Sequence, residues 1–283
     1  MKISNSIKIF TIGMAGLILT ACDDVKPDDR YILGDSVVAE RAVLLEDFTG
    51  QMCINCPQAH QVIKDLEEQY GSDKLIAVSI HCGSFGFSKS RTNFERGNIG
   101  LMTDEGNAIL ETYSISSFPM GCVDMGSPIT YSLWATAVME EISKPSPITL
   151  SLDVDFTPSA TDEHTGTINM KADILSGENL TANVQFWIIE DGIVAPQRDG
   201  NTTVTDYVHN DVFRAQVFNG VRGESIQLAA GLPFEKTGSI ETRWNNEEHW
   251  ETKNLSVVAY VSDLRGVLQV VKKPVIPVNE SDE

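Results

Sequence analysis

The sequence predicts an α/β domain over residues 41–144 followed by an all-β sandwich domain over residues 148–278. Three observations predict it. A strand–helix–strand pattern runs from Ala42 to Ile80. Strict period-2 alternation begins at Ile148. Between them, Pro145-Ser146-Pro147 breaks both patterns and reads as a domain boundary.

The elements follow in order. Ala42 to Phe48 is an apolar-rich run that reads as a buried strand. A helix is predicted from Pro57, because Ala59, Val62, Ile63, Leu66 and Tyr70 fall on one helical face and Gly71 stops it. Leu75 to Ile80 is a second strand, so the unit is βαβ with parallel strands. Residues 83–107 read as an insertion, Ala108 to Tyr113 as a short helix, Met120 to Asp124 as a brief strand, and Leu133 to Ile142 as a closing helix. In the second half, Ile148 to Phe156, Ile168 to Ile174 and Leu180 to Ile188 alternate apolar and polar residues, each a strand with one wet face. Further strands are expected at 213–218, 224–228, 255–261 and 268–271. About seven antiparallel strands separated by turn signals suggest an Ig-like sandwich.

The chain has 283 residues, with 21 basic and 40 acidic, for a formal charge of −19. Such a balance argues against nucleic-acid binding and against binding of anionic lipid by the protein body. At the N-terminus, Lys2 and Lys8 precede an apolar run from Ile9 to Leu19. Leu19-Thr20-Ala21-Cys22 ends it with small residues and a cysteine. Residues 1–21 read as a signal peptide, too short to span a bilayer as a helix. Leu19-Thr20-Ala21-Cys22 resembles a lipobox, which implies lipidation of Cys22 and attachment to the membrane through that lipid. Loss of Lys2 and Lys8 with the signal peptide makes the charge more negative by two. Residues 22–40, with Asp23, Asp24, Pro27, Asp28 and Asp29 just behind Cys22, read as a disordered tether. Those acids resemble the export signal of Bacteroidetes outer-membrane and surface lipoproteins. Asp35-Ser36-Val37 resembles an O-glycosylation acceptor.

Four cysteines remain in an oxidising envelope compartment: Cys53, Cys56, Cys82 and Cys122. Cys53-Ile54-Asn55-Cys56 lies between a strand and a helix. A cysteine at a helix N-terminus meets unpaired backbone N–H groups that favour its thiolate, the attacking species in disulfide exchange. Cys56, one turn in, is placed to resolve the mixed disulfide. The segment resembles thioredoxins, and the expected fold of the first half is accordingly thioredoxin-like. The resemblance implies that Asp47, six residues before Cys53, lies beneath the cysteines and helps move a proton. It also implies that Pro119 is a cis-proline facing the disulfide. Departures are Ile54-Asn55 between the cysteines, Met52 where a tryptophan is usual, and little chain before residue 42. They put redox activity in doubt. Cys82 and Cys122 are read as either a second disulfide or buried free thiols. His60, four residues after Cys56 on the helix, reads as a surface histidine, with tuning of the thiols as the alternative. His209 and Arg214 read as residues that order a loop and strand of the sandwich, with a binding role as the alternative. The spacing of Cys53, Cys56, His60, His81 and Cys82 lacks a zinc-ligand pattern, so no metal and no cofactor is expected.

Across both halves the chain resembles the Omp28 family of Bacteroidetes outer-membrane lipoproteins. The resemblance rests on Glu46-Asp47-Phe48-Thr49-Gly50 with Cys53-x-Asn55-Cys56-Pro57 and His60, on Phe186-Trp187-Ile188-Ile189-Glu190-Asp191, and on Tyr207-Val208-His209-Asn210-Asp211-Val212-Phe213-Arg214. It implies a lipid-anchored protein of the outer membrane or cell surface. Two functions stand open. One is a thiol–disulfide oxidoreductase acting on envelope proteins or with a redox partner. The other is a non-enzymatic binding or adhesin-type lipoprotein in which Cys53–Cys56 is structural.

Overall fold

The computed structural model describes residues 39–277 apart from Glu163. The expected signal peptide, lipidation at Cys22, the glycosylation motif and all but the last two residues of the tether lie outside the described residues.

The βαβ unit forms where the pattern places it. Strand β1 (Val43–Thr49) is buried along its whole length, and β2 (Leu75–His81) pairs with it in parallel, Val43 against Leu75 through Thr49 against His81. Helix α1 (Cys56–Tyr70) connects them. It buries Ala59, Ile63 and Leu66, and it ends at Gly71, whose φ of 85° suits a residue without a side chain. Helix α2 (Asp104–Tyr113) starts four residues before the predicted position, because the Thr103 hydroxyl caps it by accepting from Gly106 N–H at 2.9 Å. Strand β3 (Met120–Val123) runs antiparallel to β1, and β4 (Ile129–Thr130) pairs with β3. Helix α3 (Trp134–Ile142) lies over β3 at Gly121, where any side chain would collide with the Trp134 ring.

Ten strands follow: β5 (Ile148–Pro158), β6 (Gly166–Ser176), β7 (Leu180–Glu190), β8 (Ile193–Asp199), β9 (Thr202–His209), β10 (Val212–Gln216), β11 (Glu224–Leu228), β12 (Pro233–Glu241), β13 (Leu255–Asp263) and β14 (Gly266–Pro274). Strands β5 and β6 alternate in burial as predicted. With β12 they form a three-stranded sheet. Its apolar side chains, such as Leu152, Ile168 and Ile174, pack against Val184, Phe186, Val257 and Ala259.

The expected architecture, a thioredoxin-like α/β domain followed by an Ig-like sandwich, is overturned. The strands of the first half and five strands of the second form one nine-stranded mixed sheet in the order β14-β13-β7-β10-β2-β1-β3-β4, with β11 also on β7. The physical reason is double-sided burial. Strand β7 is buried on both faces from Val184 onward, not wet on one. Its Phe186 and Ile188 face the three-stranded sheet. Trp187 and Ile189, with Phe213, Val258 and Tyr260, join Phe48, Val78, Ile80 and Ile109 in a core shared by both halves. Strand β10 completes the seam, with Val212 beside Ser79 and Ser79 N–H donating to Asp211 O at 2.8 Å. Pro145-Ser146-Pro147 is not a free linker either, although Pro145 is exposed. Ser146 is buried, pairs with Ala39 in both directions, and its hydroxyl donates to the carbonyls of Ile148 and Leu268. The described residues all fall within one compact unit.

One buried acid in this shared core has a measurable consequence. Glu46 on β1 is inaccessible to solvent, and the Tyr113 hydroxyl donates to it at 3.1 Å. Burial pushes its carboxyl from 4.5 up to about 8, against the pull of that hydrogen bond. The folded state therefore keeps a proton that the unfolded state has lost, so this group's contribution to stability declines as pH rises from 4.5 through about 8. Buried His81 and His209 act in the opposite sense, but only below about 6.5, where their unfolded forms charge. Above that pH the buried acids dominate: Glu190 and Glu67, each at about 7, add to the lower part of the range, and burial raises Asp47 in the same sense. The urea midpoint is expected to fall between pH 6.5 and 8.5, and Glu46→Gln to lessen the fall. An unchanged slope in the variant would show that the charge sits elsewhere.

Candidate functional site

The site forms at the carboxyl ends of β1 and β2, the usual place for sites on parallel strands. Under the body of α1, the helix-facing side chains are Val43, Leu45, Leu75 and Ala77, all apolar. One turn further along the strands that face becomes polar, with Asp47, Thr49, Ser79 and His81, which stand in register as two cross-strand pairs. These four lie at the end where α1 begins.

The loop from Gly50 to Asn55 joins β1 to α1. Gly50 passes against the backbone of Phe85, where a side chain has no room. Cys53 and Cys56 are joined in a disulfide, and Cys56 is the first residue of α1. Both are enclosed, at 2% and 0% exposure, while their neighbours Met52 and Ile54 are nearly half exposed. The Phe118–Pro119 peptide bond is cis. Pro119 precedes Met120, which stands opposite Phe48, so the proline lies at the same end of the sheet as the cysteine loop.

A hairpin from the second half is bonded to this loop. Strands β8 and β9 pair only with each other and leave the large sheet between β7 and β10. Arg198 N–H donates to Gln51 O at 2.8 Å, and Gly200 N–H donates to Ile54 O at 3.0 Å. The Gln197 side chain donates to the carbonyls of Cys53 (3.0 Å) and Gly50 (3.3 Å). Gln51 in turn donates to Pro196 O at 3.1 Å. Ile193 and Ala195 anchor the hairpin in a small cluster with Leu101 and Val212. The sequence reading did not find this hairpin, whose Pro196, Gln197 and Arg198 interrupt any alternation.

Asp47 is fully buried, and neither carboxylate oxygen has a close hydrogen-bond partner. His60 stands beside it, with Nε2 3.5 Å from Oδ2, at the outer limit of a hydrogen bond. Burial raises the Asp47 carboxyl above the ordinary range, and His60 pulls it back. His60 lies four residues after Cys56, on the same face of α1. Its Nε2 is 3.0 Å from the Thr49 hydroxyl, and its Nδ1 is 2.8 Å from the hydroxyl of Tyr207 on β9. It is a bridging residue, not the surface histidine expected. Tyr207 itself is pushed up to about 12 by burial and by the negative charges of Asp47 and Asp199. A cavity of about 390 Å³ opens between α1 and β9 beside His60 and Tyr207, with His81 and His209 also on its wall. Burial holds His209 down at about 3 and His81 well below its usual value, so both are neutral at pH 7.

The remaining candidates sort plainly. Cys82 and Cys122 are buried free thiols, because β1 stands between the strands that carry them. Burial raises both thiols. Arg214 is buried near Glu190 and Glu248, at 3.5 and 3.7 Å, and orders the second half as expected. Among the described residues, no three His, Cys, Asp or Glu side chains converge as a metal-ligand set.

The fold and the sequence have known relatives. Among solved structures, HBP35 of Porphyromonas gingivalis is similar at a TM-score of 0.59 and 16% identity, over 86% of this chain and 78% of its own. That likeness is one of fold. A domain of the outer membrane lipoprotein Omp28 from Porphyromonas gingivalis matches at 19% identity, over 47% of this chain and 92% of its own, with a TM-score of 0.32 that carries no structural argument. A search of the curated proteins finds no match. The sequence profile of the family described as outer membrane protein Omp28 matches residues 106–279, more than half of the chain. The matched span starts beyond the cysteine pair and includes Tyr207 and His209. The chain therefore belongs to the Omp28 family of outer-membrane proteins.

Proposed function

We propose that this outer-membrane lipoprotein exchanges thiols and disulfides with other envelope proteins through Cys53 and Cys56, held near the membrane by lipid on Cys22. One observation carries the reading. A disulfide closes the N-terminus of α1, and a buried carboxyl, Asp47, touches the histidine one turn along the same helix face. A purely structural staple has no use for a buried, poorly partnered acid, which is disfavoured in its ionised form. A dithiol pair needs such a group, because each cycle moves protons on and off sulfur. Asp47 is the proton-handling residue in this reading, and Pro119 belongs to the face that receives an extended partner.

A second reading has its own support. Cys53 and Cys56 are enclosed, and the β8–β9 hairpin is bonded to their loop. Enclosure favours a structural disulfide in a non-enzymatic binding lipoprotein. The two readings differ in how the thiols behave once reduced. Under the exchange reading Cys53, ahead of the helix, ionises below the free-cysteine value of about 8.5 and is the faster to alkylate. Alkylation across a pH series, with Cys53→Ser and Cys56→Ser, reads this out. Equal rates for the two cysteines, or reduction only upon global unfolding, would select the structural reading.

The anchor is tested separately. Cys22→Ala is expected to abolish incorporation of a labelled fatty acid and to release the protein from the membrane fraction. Undiminished label on the variant would rule out Cys22 as the attachment point.

A further inference from the structure

We propose that His60, bridged to Tyr207 of the β8–β9 hairpin, is the relay through which buried Asp47 exchanges its proton with water in the cavity between α1 and β9. The proposal rests on the exchange reading above and adds two residues to it, one from each half of the chain.

The geometry carries it. Asp47 has no solvent exposure, so it cannot trade a proton with bulk water directly. His60 Nε2 stands 3.5 Å from Asp47 Oδ2 and 3.0 Å from the Thr49 hydroxyl, and the opposite ring nitrogen meets the Tyr207 hydroxyl. An imidazole with one nitrogen toward an acid and the other toward a hydroxyl can accept a proton on one side and release one on the other. Both His60 and Tyr207 line the cavity, which supplies the route to water. The same hairpin is also bonded to the backbone of the cysteine loop through Gln197, Arg198 and Gly200.

The step balances as follows when dithiothreitol reduces the protein. A dithiothreitol thiolate attacks Sγ of Cys53, the Cys53–Cys56 bond breaks, and Cys56 leaves as a thiolate. Cys56 takes a proton from Asp47, directly or through a water. The second dithiothreitol thiol loses its proton to water and, as a thiolate, attacks the dithiothreitol sulfur of the mixed disulfide. Cys53 leaves as a thiolate, cyclic oxidised dithiothreitol is released, and two electrons have passed to the protein. Asp47 recovers its proton from His60 Nε2, His60 takes one at Nδ1 from the Tyr207 hydroxyl, and Tyr207 takes one from water.

Other groups facing His60 must be held in mind when the pH dependence is read. Asp47 and Thr49 face it from β1, His81 from β2, and Tyr207 and His209 from β9. Lys64 and Glu67 of its own helix, and Asp211 beyond β9, share the cavity. His81 and His209 stay neutral across the working range. Glu67, at about 7, and Asp211, at about 6, titrate within that range, so an inflection belongs to the Asp47–His60 pair when Asp47→Asn removes it as well as His60→Gln.

The test follows reduction of the full-length protein by dithiothreitol across pH 5.5–8.5, expressed per dithiothreitol thiolate. Relative to wild type, His60→Gln keeps the side-chain hydrogen bonds but cannot carry a proton. It is expected to slow reduction about tenfold, below the roughly 10²- to 10⁴-fold range of direct acid–base catalysis, and to change the pH profile. Tyr207→Phe is expected to slow it less, with an unchanged melting temperature. His60→Ala should regain rate on adding imidazole, which the cavity can admit. If His60→Gln reacts with the wild-type rate, or more slowly with the wild-type pH profile, His60 is structural and the relay is overturned. If the wild-type disulfide does not react at all below global unfolding, the exchange reading itself fails.

Discussion

The structure depends on the seam between β10 and β2. It is narrow in hydrogen bonds, with Val212 beside Ser79 and one strong bond from Ser79 to the Asp211 carbonyl. Its strength lies in the side chains it brings together. Trp187, Phe213 and Tyr260 from one half meet Phe48, Val78 and Ile80 from the other in a single core. The three aromatic rings pack edge to face around Trp187, with centroids 4.9 and 5.4 Å apart. Burying even a few such side chains contributes roughly 1.5–3 kcal/mol each, which outweighs the single backbone pairing that marks the join. Without that core, the two halves would have only edge strands to offer each other.

The seam also builds the candidate site. The β8–β9 hairpin is the excursion of chain between β7 and β10. Because β10 sits beside β2, the excursion lies next to the carboxyl ends of β2 and β1, where the cysteine loop emerges. Gln197 and Arg198 reach the loop backbone, and Tyr207 reaches His60 one turn further along α1. The half that carries the family signature therefore supplies contacts to a disulfide that lies outside that signature.

Much of this was legible in the sequence and the rest was not, for identifiable reasons. Local pattern located β1, α1, β2, β5 and β6 to within a residue or two, since their faces are set by neighbours close in the chain. Cys53 and Cys56 stood out by their place between a strand and a helix, and Asp47 only through the resemblance to thioredoxins. The continuous sheet was not, because the pairing of residue 79 with residue 212 leaves no local mark. A hint was present in Phe186-Trp187-Ile188-Ile189, where alternation gives way to unbroken apolar residues, the mark of a strand covered on both faces. Pro145-Ser146-Pro147 misled because prolines signal a break in regular structure, and a break can be buried as well as exposed. His60 was undervalued because its partner Tyr207 lies 147 residues away. Its position four after Cys56, on the helix face turned to the sheet, was the available clue.

The central claim is that the disulfide at this seam is an exchanging pair, enclosed by the hairpin but not locked by it. The reduction potential of Cys53–Cys56 in the full-length protein, measured by equilibration in defined thiol–disulfide buffers, tests it most directly. The account predicts a value between about −270 and −120 mV, the span of known exchange dithiols. A potential below about −300 mV, where structural disulfides of secreted proteins lie, would contradict it.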